Sequence, residues 1–257
     1  MEFVGSHILS VSQFQRKDID KVFKTADEMV PYANRQRVTR VLEGAILGNM
    51  FFEPSTRTRV SFGSAWNLLG GEVRETAEVN SSSIAKGESF YDTARVLSGY
   101  SDAIVMRHQI EGSVEEFAAA SRVPVINGGD GSNEHPSQAL LDLYTIQKEM
   151  ETQGKTVDNL RIALIGDLKY GRAVHSLCRL LGLYNNIHFT LISPPELKLP
   201  NSYLTEMAEN GHRYIESDEL QSGITKADIL YVTRTQEERF PTKSEADKYK
   251  GLFRLNQ

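Results

Sequence analysis

The sequence predicts an α/β protein built of two doubly wound domains, each a parallel sheet flanked by helices. Short apolar runs alternate with stretches of helical periodicity from residue 45 to residue 232, the pattern of repeated strand and helix units. Runs such as Ala45 to Phe52, interrupted only by Gly48 and Asn49, and Ile162 to Ile165 are apolar, as strands covered on both faces are. A polar stretch, Glu149 to Asn159 with Gly154 inside it, separates two series of such units. Domains are therefore expected at residues 1–150 and 151–257.

In order, Ile19, Val22, Phe23, Ala26, Met29 and Val30 recur at helical spacing, with Asp18 near the start and Pro31 expected just past the end. Ala45 to Phe52 is a strand. Val60, Phe62, Ala65, Trp66 and Leu69 form a helix stopped by Gly70 and Gly71. Glu72 to Val79 is a short strand, followed by a small, polar loop, Asn80 to Glu88, that suits a mobile surface. Helices are expected at Phe90 to Tyr100 and Ser113 to Ser121, and strands at Ala103 to Met106 and Val123 to Ile126. After the turn-rich NGGDGSNEHPSQ, Pro136 fits the first position of a helix running to about Met150. The second series reads strand Ile162 to Ile165, helix Arg172 to Leu181, strand His188 to Ile192, helix Tyr203 to Glu209, strand Arg213 to Ile215, helix Ser217 to Lys226 and strand Asp228 to Val232.

The most informative stretch is FFEPSTRTR, Phe51 to Arg59, where a strand hands over to a helix start. Unpaired N–H groups and the positive end of the dipole favour an anion there. Ser55, Thr56 and Thr58 can add donors, and Arg57 or Arg59 a forked charged contact. Arginines in a first turn oppose the dipole. Phosphate binding explains them better than an N-cap serine beside surface charges. Arg107 and His108 end the strand at Met106, on the edge where parallel sheets bind ligands. His135 and Gln138 fall at the start of the Pro136 helix.

Composition narrows the function. The 257 residues are 40% hydrophobic and 25% charged with a net charge of -5, ordinary for a soluble globular protein and without a basic footprint for nucleic acid. No run of 18 apolar residues and no signal peptide is seen, and the single Cys178 lies in a helical context that suits a packed thiol. A cytoplasmic protein with no membrane partner is expected.

GDLKYGR, Gly166 to Arg172, lies where a dinucleotide fingerprint would, but lacks its three glycines. The next strand ends in Ser193 without the acid that holds a ribose, and Arg172 stands where a P-loop would carry lysine. An NAD(P)-dependent oxidoreductase is disfavoured. Arg172 and Arg234 then fall at corresponding strand ends, with Gln236 close by. Two arginines so placed suit a ligand with two carboxylates, although surface ion pairs are the commoner fate of any one arginine.

STRTR, SxxxKGE, MRH, HPSQ, GDLKYGRxVHSL and YVTRTQEER, spread over Phe51 to Arg239, together resemble the aspartate carbamoyltransferase catalytic chains. STRTR and HPxQ are shared with the sister ornithine enzymes, whereas GDLKYGR and TRTQEER belong to the aspartate branch. The resemblance implies transfer of the carbamoyl group of carbamoyl phosphate to L-aspartate, giving N-carbamoyl-L-aspartate for pyrimidine synthesis, without cofactor or metal. It implies a phosphate cradle of Ser55, Thr56, Arg57 and Thr58, with Arg107 also on carbamoyl phosphate, His135 on its carbonyl oxygen and Gln138 on its nitrogen. Arg172, Arg234 and Gln236 would grip aspartate, and Ser82 and Lys86 would reach a neighbouring subunit's site in a homotrimer. Catalytic roles fall to Arg57, Thr58, Lys86, Arg107 and His135. Regulatory or dihydroorotase subunits are possible partners.

Family members continue beyond the point matching Gln257, with a further strand, an HPLPR segment and a C-terminal helix. An incomplete site that binds ligand without turnover is thus an alternative to the active transferase.

Overall fold

The computed structural model describes residues 1–76 and 87–253. The chain divides into two compact units, residues 1–137 and 138–257. In the first, β1 (Ile46–Phe51), β2 (Glu72–Thr76), β3 (Ala103–His108) and β4 (Val125–Asp130) form a sheet in the order β2-β1-β3-β4. All its pairings are parallel. Alternate residues of β1 and β3 face opposite layers. Met50, Ile104 and Met106 pack with Ala94 of α3 (Phe90–Leu97) and with Val114 and Phe117 of α4 (Ser113–Ala120). Leu47, Phe51 and Val105 pack with Phe62 and Trp66 of α2 (Thr56–Leu68). Strands buried on both faces read as continuous apolar runs for this reason.

The second unit repeats the plan. Its sheet of β5 (Arg161–Ile165), β6 (His188–Ile192), β7 (Arg213–Ser217) and β8 (Ile229–Val232) is parallel, in the order β7-β6-β5-β8. Its helices are α5 (Pro136–Thr152), α6 (Arg172–Leu181), α7 (Asn201–Glu209), α8 (Leu220–Ile224) and α9 (Lys243–Asp247). Cys178 is buried on α6, and burial pushes its thiol pKa up.

The expected domain boundary at 150/151 differs from the division at 137/138. The turn of α5 that carries Asp142 is tied by hydrogen bond to Tyr231 of β8, so the helix counts with the second unit. Pro31 does not end α1 (Arg16–Ala33) but lies in its last turn. There it removes one N–H, and the turn is closed around it by Asn34 N–H to Val30 O and Gln36 N–H to Pro31 O. β4 continues past Ile126 through both glycines to Asp130, where its register against β3 shifts. A Cβ on Gly128 would lie 3.3 Å from Met106 O, so the glycine lets the two strands approach closely. α9 and a short 3₁₀ turn at Glu237–Arg239 were not anticipated.

The order of strands identifies one reversal point in each sheet. In the first unit the chain moves outward from β1 to β2 and returns on the other side at β3. In the second it moves outward from β5 through β6 to β7 and returns at β8. The crevice beyond the carboxyl ends of β1 and β3, and of β5 and β8, is where open α/β sheets take ligands.

Candidate active site

Of the residues singled out in the sequence, Ser55, Thr56, Arg57, Thr58 and Arg107 fall at the first of these points and Arg172, Arg234 and Gln236 at the second. In the first unit β1 ends at Phe51 and α2 begins at Thr56 with Ser55 as its N-cap. The Ser55 backbone is extended, but its hydroxyl makes no capping hydrogen bond. Ser89, by contrast, caps α3 by accepting from Asp92 N–H at 3.0 Å. The first turn of α2, free of acidic residues, thus keeps its N–H groups for an external anion.

The two arginines of this turn separate. Arg59 is turned toward β2, with its Nη1 3.4 Å from Glu75. Asn49, buried in β1, donates to both the Arg59 carbonyl and Glu75. Arg57 is exposed and has no acidic partner among the described residues. Of the two, Arg57 is the one left to meet an anion.

Arg107 is the penultimate residue of β3, opposite Phe51 in register. Its Nε lies 2.9 Å from a Glu53 carboxylate oxygen, and its Nη1 donates to Gly128 O at 3.3 Å. Glu53, the acid of FFEPSTRTR, is a site residue that sequence reasoning passed over. Its sign, alone among phosphate-binding groups, was the available signal. His108, beside it, is buried between the edges of Phe52 and Phe90, and accepts from Ile110 N–H at 3.0 Å. Burial lowers its pKa, against the opposing effect of the Glu53 charge.

His135 is buried and immediately precedes α5, with its Nδ1 3.4 Å from Ser137 Oγ. A network of buried acids holds the approach to it. Asp130 accepts from Asn127, Asn133 and the Gly112 and Glu134 N–H groups, while Glu134 accepts from Ser10 Oγ and Val11 N–H. Ser55, Thr56, Arg57, Thr58, Arg107 and His135 thus belong to elements leaving one edge of one sheet. Ser82 and Lys86 lie outside the described residues.

In the second unit Gly166, directly after β5, has φ of +116°, and a Cβ there would fall 2.3 Å from Thr233 O, just after β8. Only glycine allows the two strand ends to meet so closely. Asp167, 1% exposed, then accepts from Tyr170 N–H and from Gln236 N–H, each at 3.0 Å. It ties the GDLKYGR turn to the TRTQEER turn, a role invisible in either motif alone. Arg172 opens α6 and is half-buried.

Arg234 forks onto Glu238, with Nη2 to Oε1 at 2.6 Å and Nη1 to Oε2 at 2.9 Å. This pairing holds the Glu238 carboxyl at about 2, below its ordinary 4.5. The fork expected to take a ligand carboxylate therefore already holds one from its own chain. Gln236 Nε2 donates to Arg234 O at 3.0 Å. Arg234 lines an open cavity of about 500 Å³ with Asp167, Thr233 and Thr235. Gln138 donates from Nε2 to Asp142 at 2.8 Å.

Residues 6–148 match the family model described as the aspartate/ornithine carbamoyltransferase carbamoyl-P binding domain, and residues 158–257 match its Asp/Orn binding domain. The aspartate carbamoyltransferase catalytic subunit of Saccharophagus degradans is 69% identical over 257 residues, spanning 100% of this chain and 76% of that protein. That of Cellvibrio japonicus is 66% identical with the same coverage. The catalytic subunit of M. jannaschii aspartate transcarbamoylase superposes with a TM-score of 0.86 at 45% identity, covering 97% of this chain and 80% of that one. The Trypanosoma cruzi enzyme in complex with carbamoyl phosphate and aspartate gives 0.87 at 40% identity, covering 96% and 78%. With a domain model matched in each half and close relatives aligned along its whole length, the chain belongs to the aspartate/ornithine carbamoyltransferase family, among the aspartate carbamoyltransferase catalytic subunits.

Proposed function

We propose that the chain transfers the carbamoyl group of carbamoyl phosphate to the amine of L-aspartate, releasing N-carbamoyl-L-aspartate and phosphate. The observation that carries this reading is the uncapped start of α2 with Arg57 free of an acidic partner among the described residues and Arg107 across the same strand ends. The neutral amine attacks the carbonyl carbon, the bond from that carbon to the bridging oxygen breaks with its electron pair leaving on phosphate, and the proton of the amine passes to the departing phosphate. Charge grows first on the carbonyl oxygen and then on the departing phosphate. Donors already in place at both positions contribute most to such a reaction.

Thr58, Arg107 and His135 serve the carbonyl oxygen, and Ser55, Thr56, Arg57 and Lys86 the phosphate. Gln138 takes the carbamoyl nitrogen. Arg172, Arg234 and Gln236 receive aspartate, with Ser82 and Lys86 supplied by a neighbouring subunit of a homotrimer. A role in de novo pyrimidine biosynthesis in the cytoplasm, without cofactor or metal, belongs to the same reading, as do regulatory or dihydroorotase subunits as partners. Among the described residues no helix is long and apolar enough to cross a membrane.

Steady-state carbamoylation by the 257-residue chain, with L-aspartate and with L-ornithine, tests the proposal. Turnover with aspartate alone supports it. Equal use of ornithine would remove the roles given to Arg172, Arg234 and Gln236, and carbamoyl phosphate binding without turnover would leave a ligand-binding chain.

A further inference from the structure

Gln138 is the first polar side chain of α5 with two chemically different ends, and which end faces outward decides what it can recognise. Its Nε2 donates to Asp142 Oδ1 at 2.8 Å, one helical turn on, and its oxygen has no hydrogen bond among the described residues. The other oxygen of Asp142 accepts from the hydroxyl of Tyr231, 2.8 Å away on β8. A surface Gln-Asp pair at this spacing is a small contribution to a helix. Here the carboxylate is also pinned from the sheet by a residue 89 positions away in sequence.

We propose that Asp142 and Tyr231 are positioning residues that fix the Gln138 amide with its oxygen outward, making it an acceptor for the carbamoyl NH₂ group. This rests on the reading that Gln138 meets the carbamoyl nitrogen. An ionised carboxylate only accepts, so it must face the amide nitrogen. A hydroxyl in its place could equally face the amide oxygen, and the amide would then turn its nitrogen outward, toward a nitrogen that can only donate. Tyr231 is held as the donor, since burial and then the Asp142 charge raise its pKa. Burial raises the pKa of Asp142, and the bonds from Tyr231 and then Gln138 oppose that rise. The three residues therefore stabilise one another's roles, as members of a partly buried hydrogen-bonded chain do.

The test is calorimetric titration of the 257-residue chain with carbamoyl phosphate and, separately, with inorganic phosphate, which lacks the group that Gln138 would read. Asp142→Asn keeps the shape but lets the side chain donate to Gln138. It should weaken carbamoyl phosphate binding by about tenfold and leave phosphate binding unchanged within about twofold. Tyr231→Phe should act in the same direction with a smaller factor, and thermal melts of both variants verify that they fold. In a Gln138→Ala background, Asp142→Asn should add nothing. Equal loss of both ligands, or a full Asp142→Asn effect persisting without Gln138, would overturn the inference and leave the role of Gln138 standing. If Gln138→Ala itself leaves the preference for carbamoyl phosphate over phosphate intact, the role of Gln138 fails, and this inference with it.

Discussion

The carboxylate of Glu53 sits 2.9 Å from Nε of Arg107, and each side chain is only 12% exposed. Glu53 lies in the turn after β1 and Arg107 at the end of β3, so the pair bridges the reversal point of the first sheet. Glu53→Gln would leave a largely buried guanidinium without its counter-charge, costing about 1–3 kcal/mol. Urea unfolding of the two proteins measures this directly, and coincident midpoints would show that the pair does not support the fold.

Arg57 and Arg59 are predicted to differ although they are two positions apart. Arg57→Ala removes no ion pair seen in the structure and should leave stability within about 0.5 kcal/mol. It should weaken phosphate binding by about 10- to 100-fold, the value of a charged hydrogen bond to phosphate. Arg59→Ala should spare phosphate affinity and cost at most about 1 kcal/mol of stability, since its pair with Glu75 is partly exposed. Titration of both variants with inorganic phosphate decides the matter, and the opposite ranking would reverse the assignment.

Gly166→Ala places a methyl 2.3 Å from Thr233 O on a backbone with φ of +116°. The clash is with main chain rather than a flexible tip, so the turn carrying Arg234 and Gln236 must shift. A destabilisation of about 2 kcal/mol or more is expected, with a raised KM for aspartate and a smaller change in that for carbamoyl phosphate. A variant with parental melting temperature and unchanged KM would exclude the close approach.

The Arg234 to Glu238 pair gives a pH dependence of known sign. Because the folded-state pKa is depressed to about 2 from 4.5, the unfolded chain binds this proton more readily. The pair's contribution is therefore present above about pH 4.5 and is lost as pH falls toward about 2. With Arg234 64% and Glu238 45% exposed, it amounts to less than about 1 kcal/mol. The difference in urea midpoint between the parent and Glu238→Gln should be larger at about pH 6 than at about pH 3. A difference that grows on acidification would contradict the assignment.

Much of this was legible in the sequence. Strands such as His188–Ile192 and helices such as Arg172–Leu181 end where apolar periodicity and turn residues place them, because both signals are local. Pro31 reads as a helix stop, yet a proline in a last turn removes only one hydrogen bond and α1 runs past it. β4 was cut short because Gly128 and Gly129 look like a turn until β3 is beside them. The family was legible in a set of motifs, and the matched domain models agree with it.

Local patterning along the chain sets the order of elements, the chemistry available at each strand end and the family. The tertiary structure decided which groups are already occupied: Arg59 by Glu75, Arg107 by Glu53, Arg234 by Glu238, and Gln138 by Asp142 under Tyr231. Several of these partners are tens of residues apart in the chain, as Glu53 and Arg107 or Asp142 and Tyr231 are, and they meet only because neighbouring elements of a fold come from distant segments. Periodicity reports which face of an element is buried. It carries no information about the residue waiting on the other side.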